Sequence, residues 1–88
     1  MPERQVKIVN KLGIHARPAA EIVKTAVKFK SSITIVRDDL EVNAKSIMGV
    51  MMLAAECGST ITLRAEGVDA DDALAAIAAV IAAKFGES

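Results

Sequence analysis

The sequence predicts an α+β fold. It reads as a two-layer open-faced sandwich: a four-stranded antiparallel sheet covered on one face by three helices, in the order βαββαβα. Two observations predict it. Segments 3–9, 33–36 and 60–66 alternate apolar with polar residues, the pattern of strands with one dry face and one wet face. Segments 16–29 and 70–85 instead repeat apolar residues at helical spacing. A dry sheet face must be covered, and the helices are the elements available to cover it.

Each element follows from its residues. Glu3 to Val9 reads as a strand, with Val6 and Ile8 on one face and Gln5 and Lys7 on the other. Lys11 to Gly13 is a loop. A helix from Ala16 to Phe29 is predicted by Ala19, Ile22, Val23, Ala26 and Phe29. Pro18 lies in its first turn, where a missing N–H is harmless. Glu21 near its start and Lys28 and Lys30 near its end suit the helix dipole. Ser32 to Val36 and Leu40 to Asn43 form a hairpin with Asp38 and Asp39 at the turn. Ser46 caps a short helix from Ile47 to Leu53, extending toward Ala55 and ended by Cys57-Gly58. In Thr60 to Glu66, Ile61, Leu63 and Ala65 point inward. Asp69 is the expected N-cap of the last helix, with Asp71 and Asp72 in its first turn. Leu74, Ile77, Ile81 and Phe85 form its apolar stripe, which stops at Gly86.

The totals narrow the function. A chain of 88 residues predicts one domain, 1–88. Aromatic residues are 2% of the chain, too few for base stacking, and Lys+Arg and Asp+Glu balance at 11 each. Both argue against a nucleic-acid partner. One cysteine, Cys57, allows no internal disulfide, and with one histidine there is no zinc spacing. No metal or cofactor is expected. The longest apolar stretch, Ala73 to Ala83, is about half of the roughly 20 residues that span a bilayer. The N-terminus lacks the apolar core of a signal peptide. The expectation is a cytoplasmic monomer with no membrane association.

The stretch "KLGIHARPAAEIV", Lys11 to Val23, holds the lone histidine. Gly13 permits a tight turn and Pro18 marks the helix start, so His15 falls at or beside the N-cap. The first-turn N–H groups of Ala16 and Arg17, with the positive end of the helix dipole, would stabilise an anion there. The same field disfavours an imidazolium and favours the neutral, nucleophilic ring. Arg17 adds a planar fork that matches phosphate oxygens. From the residues alone two readings stand: a capping or loop histidine without chemistry, or a histidine that accepts a phosphoryl group.

"GIHARPA", Gly13 to Ala19, resembles the active-site signature of the HPr family, the histidine-containing phosphocarriers of the phosphoenolpyruvate-dependent phosphotransferase system. "NAKSIMGVMML", Asn43 to Leu53, resembles the regulatory serine segment of the same family. The element order agrees, so the resemblance covers essentially the whole chain. It implies that His15 accepts a phosphoryl group through Nδ1 from phosphorylated enzyme I and passes it to enzyme IIA domains or related regulators. It implies that Arg17 orients and neutralises the phosphate. The chain would then be a shuttle between enzymes, not an enzyme itself. It further implies that Ser46 is phosphorylated by an HPr kinase/phosphorylase where the host has one.

The helix after Ser46 is apolar nearly all round and only about two turns long. Val50 and Leu53 are expected to face the core. Ile47, Met48 and Met51 are expected to be partly exposed, as a docking patch bordered by Ala20 and Lys24 on the first helix. The plainer alternative is that the methionines are core. Two rival functions are a purely regulatory module acting through Ser46 and a nucleic-acid-binding domain of similar topology. The intact His15 and Arg17 count against the first, and charge and composition against the second.

Overall fold

A computed structural model describes residues 2–87. The elements are β1 (Glu3–Lys7), α1 (Ala16–Ala26), β2 (Ser32–Arg37), β3 (Leu40–Asn43), α2 (Ile47–Met52), β4 (Thr60–Glu66) and α3 (Ala70–Ala82), followed by a 3₁₀ turn at Lys84–Gly86. The strands form one antiparallel sheet in the order β1-β4-β2-β3. Register follows the pleat: Ile33 lies opposite Ala65, Ile35 opposite Leu63 on one side and Val42 on the other. All five side chains are buried beneath the helices with Ile8, Ile22, Ile61, Val50, Ile77 and Ile81. The core is aliphatic, as the shortage of aromatics requires. The opposite face carries exposed Gln5 and Lys7 and half-buried Thr34, Thr62 and Arg64. The two-layer α+β sandwich of order βαββαβα is therefore the observed fold.

The element ends differ from expectation where distant contacts intervene. α1 stops at Ala26, not Phe29. The next residues wind more tightly, with Lys28 N–H donating to Thr25 O at 3.2 Å and Phe29 N–H to Ala26 O at 3.1 Å. Phe29 still packs against the core, but Lys28 and Lys30 lie past the helix, and Lys24 is the basic residue of its last turn. α2 is ended by Ala54 in the left-handed region, φ 48°, not by Cys57-Gly58. The Arg37 guanidinium makes this possible. Its Nη1 donates to Leu53 O at 2.9 Å and Ala54 O at 2.8 Å, satisfying carbonyls the helix end leaves free.

Asp69 stands at the N-cap of α3 as expected, yet its side chain makes no capping bond. Its carboxylate instead accepts from Lys30 N at 2.9 Å, from Ser31 N at 3.0 Å and from Ser31 Oγ. These donors, the Ser31 hydroxyl foremost, pull the Asp69 carboxyl down from 3.8 to about 2. Phe85 is buried, but not by continuing the helical stripe. Lys84 and Phe85 both have positive φ, 59° and 56°, so the chain reverses after α3 and drops the ring back onto the core.

Candidate functional site

The loop before α1 is held by backbone bonds to the segment after α2. Ile14 N–H donates to Ala55 O at 2.8 Å, and Gly58 N–H to Ile8 O at 2.7 Å. Gly13 sits at φ 68°, and a Cβ there would collide with the Ala55 carbonyl, so only glycine fits the turn. Within the turn, buried Asn10 donates from Nδ2 to Gly13 O at 2.8 Å. Buried Pro18 then fixes the first helical turn.

His15 is the N-cap residue of α1, with extended φ −109° and ψ −167°. Its carbonyl accepts from Ala19 N–H at 2.9 Å, the first bond of the helix. Its side chain does not cap. The imidazole, 40% exposed, turns to the C-terminus, where Nε2 lies 3.0 Å from Oε2 of Glu87. An ionised carboxylate can only accept, so Nε2 carries the proton of this pair. In the neutral ring the lone pair is then on Nδ1. Glu87 is itself steadied by Asn10, whose Nδ2 donates to Oε1 at 3.0 Å.

Arg17 is exposed in the first turn and makes no side-chain hydrogen bond among the described residues. It helps line an open cavity of about 740 Å³ with Lys11, Leu12, Gly86 and Glu87. Ala16, also exposed, and Arg17 contribute first-turn N–H groups that have no acceptor within the helix. This corner thus combines an imidazole lone pair, two cationic side chains and a helix N-terminus. Such a set can take a phosphoryl group onto nitrogen and hold its oxygens.

The second motif lies on the next helix. Ser46 is the N-cap of α2, and its Oγ accepts from Gly49 N–H at 3.1 Å. Val50 and Leu53 are buried, as expected from the sequence. Ile47, Met48 and Met51 are exposed, Met48 at 73%. The reading of these methionines as core is thereby excluded. Ala20 and Lys24 are exposed on α1, which packs against α2. Their spacing puts them on the face that carries Arg17.

Met52 and Leu12 are exposed beside these residues in the chain, and the sequence reading omitted both. It also omitted Glu87 and Asn10. Asn10 was legible as a turn residue; nothing local marks Glu87. Among the described residues, no group of three or more His, Cys, Asp or Glu side chains is placed to hold a metal, and Cys57 is exposed and free. No helix among them is long and apolar enough to cross a membrane.

A small α+β fold that presents a histidine at a helix N-terminus beside an arginine holds the groups that binding and carrying a phosphoryl group require. Comparison with known proteins agrees. Residues 2–83 match the family model described as PTS HPr component phosphorylation site. The chain is 49% identical to the phosphocarrier protein HPr of Cupriavidus necator, over 99% of this chain and 98% of that one. The crystal structure of an HPr from Thermoanaerobacter tengcongensis superposes with a TM-score of 0.95 at 49% identity, covering 100% of this chain and 99% of that one. A second structure from that organism, described as an HPr dimer, gives a TM-score of 0.79 at 49% identity, covering 99% and 100%. The chain belongs to the HPr family, the phosphocarriers of the phosphotransferase system. Its role is that of a carrier, not of an enzyme.

Proposed function

We propose that the chain is a single phosphocarrier domain that accepts a phosphoryl group on Nδ1 of His15 from phosphorylated enzyme I and passes it to enzyme IIA-type acceptors. The observation that carries this reading is the Nε2–Glu87 contact, which leaves the Nδ1 lone pair free beside the N-terminus of α1. Arg17 and the N–H groups of Ala16 and Arg17 receive the phosphate oxygens. Transfer of this kind needs mainly positioning and charge stabilisation, which a half-exposed histidine on a rigid helix end supplies. Ile47, Met48 and Met51, with Ala20 and Lys24, form the surface on which partners dock. The protein works in the cytoplasm and as a monomer. A dimer in sedimentation at working concentration would overturn that last point.

Incubation with phosphoenolpyruvate and enzyme I tests the reading. One phosphate, labile in acid and stable in base, should appear on the wild type and be absent from His15→Ala. Retention of the label in that variant would move the site elsewhere.

Ser46 carries a second, regulatory modification in this reading. Phosphate there would rest on the N-terminus of α2 and add nearly two negative charges beside the docking surface. ATP with an HPr kinase should give an acid-stable phosphate on the wild type and none on Ser46→Ala. No label on either protein leaves Ser46 a helix cap alone.

A further inference from the structure

A helix of six residues is too short to stand without support, and α2 is held at both ends. At its start Ser46 Oγ accepts from Gly49 N–H at 3.1 Å. At its end the support comes from another element. Arg37, half-buried at the last position of β2, reaches across with its guanidinium. Its Nη1 donates to Leu53 O at 2.9 Å and to Ala54 O at 2.8 Å. These bonds hold a turn that the backbone resists. Ala54 lies at φ 48°, where a β-carbon crowds the neighbouring carbonyl oxygen.

The turn has consequences on both sides. Before it, Ile47, Met48, Met51 and Met52 are exposed on α2. After it, the Ala55 carbonyl accepts the Ile14 N–H at 2.8 Å and packs against the Gly13 backbone. Ile14 is the residue before His15. One guanidinium thus fixes where the exposed apolar face of α2 ends and, one residue beyond Ala54, what the histidine loop is fastened to.

We propose that Arg37 is a positioning residue for phosphoryl transfer: it holds the docking face of α2 and the His15 loop in one register, so that a partner seated on the face meets the ring. This inference rests on the carrier reading of His15 and on the docking role of α2. A partner must engage the face and the imidazole together. Without the guanidinium, the Leu53 and Ala54 carbonyls turn to water, Ala54 leaves the left-handed region, and the end of α2 frays. The face is then correctly presented for only a fraction of the time, and apparent affinity falls by that fraction. Arg37 is not among the residues that line the cavity beside Arg17. Its loss therefore acts on the encounter with the partner and not on the chemical step.

The test uses the full chain, with phosphorylated enzyme I as donor, at a temperature where every variant is folded by circular dichroism. Arg37→Met removes the donors and keeps an apolar stem. Asp69→Asn is the control: it weakens the fold through bonds to Lys30 and Ser31, not through α2. In Arg37→Met the KM for the carrier should rise about tenfold, with kcat within about twofold of wild type. Phosphoramidate, a small donor that needs no docking face, should label His15 of both at the same rate. Hydrogen exchange of the Ile14 amide should quicken about tenfold. Adding Ala54→Gly should return most of the lost KM, because glycine holds a left-handed turn unaided.

An unchanged KM in Arg37→Met overturns the inference, as does an equal rise in Asp69→Asn or no recovery on adding Ala54→Gly. Slower labelling of Arg37→Met by phosphoramidate also overturns it, by placing Arg37 in the chemistry. A measurement on the wild type stands whether or not a variant folds. Nitrogen NMR should find the Arg37 guanidinium protons slower to exchange with water than those of exposed Arg4; equal rates overturn the inference and leave the carrier reading intact. A wild type that takes no label on His15 removes both.

Discussion

The N-termini of α1 and α2 use the same position in opposite ways. Ser46 spends its side chain on its own helix, accepting from Gly49 N–H. His15, in the equivalent place, leaves its helix uncapped and turns its ring to a carboxylate 72 residues away in sequence. A side chain that caps belongs to the stability of the fold. One withheld from capping leaves N–H groups unsatisfied and open to an anion. The difference is that the Ser46 hydroxyl is engaged by its own helix while the His15 ring is not.

Substitutions should break the comparison unequally. The largest effect falls on His15→Ala, which should abolish the acid-labile phosphate; no capping bond is lost, so the stability it costs, about 1–2 kcal/mol, comes from the missing hydrogen bond to Glu87. Radiolabelling and urea denaturation read the two halves. Next is Gly13→Ala, which leaves His15 untouched but forces a Cβ into the Ala55 carbonyl at a positive φ. It should destabilise by more than about 1 kcal/mol in the same denaturation measurement and slow phosphorylation by displacing the loop.

Ser46→Ala should lose about 1 kcal/mol through the cap. Ser46→Asp should recover most of it, because aspartate also caps, while slowing phosphoryl acceptance from enzyme I through its charge. Equal stabilities of the two variants would show that the cap contributes nothing.

Asp69 sharpens the contrast from a third helix start, where the side chain serves another segment. Its carboxyl is lower folded, at about 2, than its ordinary 3.8. The stability it contributes is therefore present above about pH 4 and lost as pH falls toward 2. Asp69→Asn should flatten that part of an acid-unfolding curve. Met48→Ser should have the smallest effect on stability, within about 0.5 kcal/mol for so exposed a residue, yet weaken binding to enzyme I measured by titration calorimetry.

The features legible in the sequence are local. Alternation in 60–66 marks β4 to the residue, the Leu40 to Asn43 segment coincides with β3, and Ser46 is the cap that its place before an apolar run predicts. His15 stands at the start of α1, as Gly13 and Pro18, which punctuate the chain within three residues of it, predict. These features depend on neighbours in the chain, whose geometry a motif records. Long-range contacts set the rest. Ala54, not Gly58, follows the end of α2, because Arg37 reaches across to the free carbonyls. Asp69 ties the turn at Ser31 in place of capping α3, because that turn lies within hydrogen-bond reach of it. Glu87 meets His15 because a buried Phe85 folds the C-terminus back. Contacts between residues so far apart leave no periodicity and no spacing to read. They exist only once the core has brought the segments together.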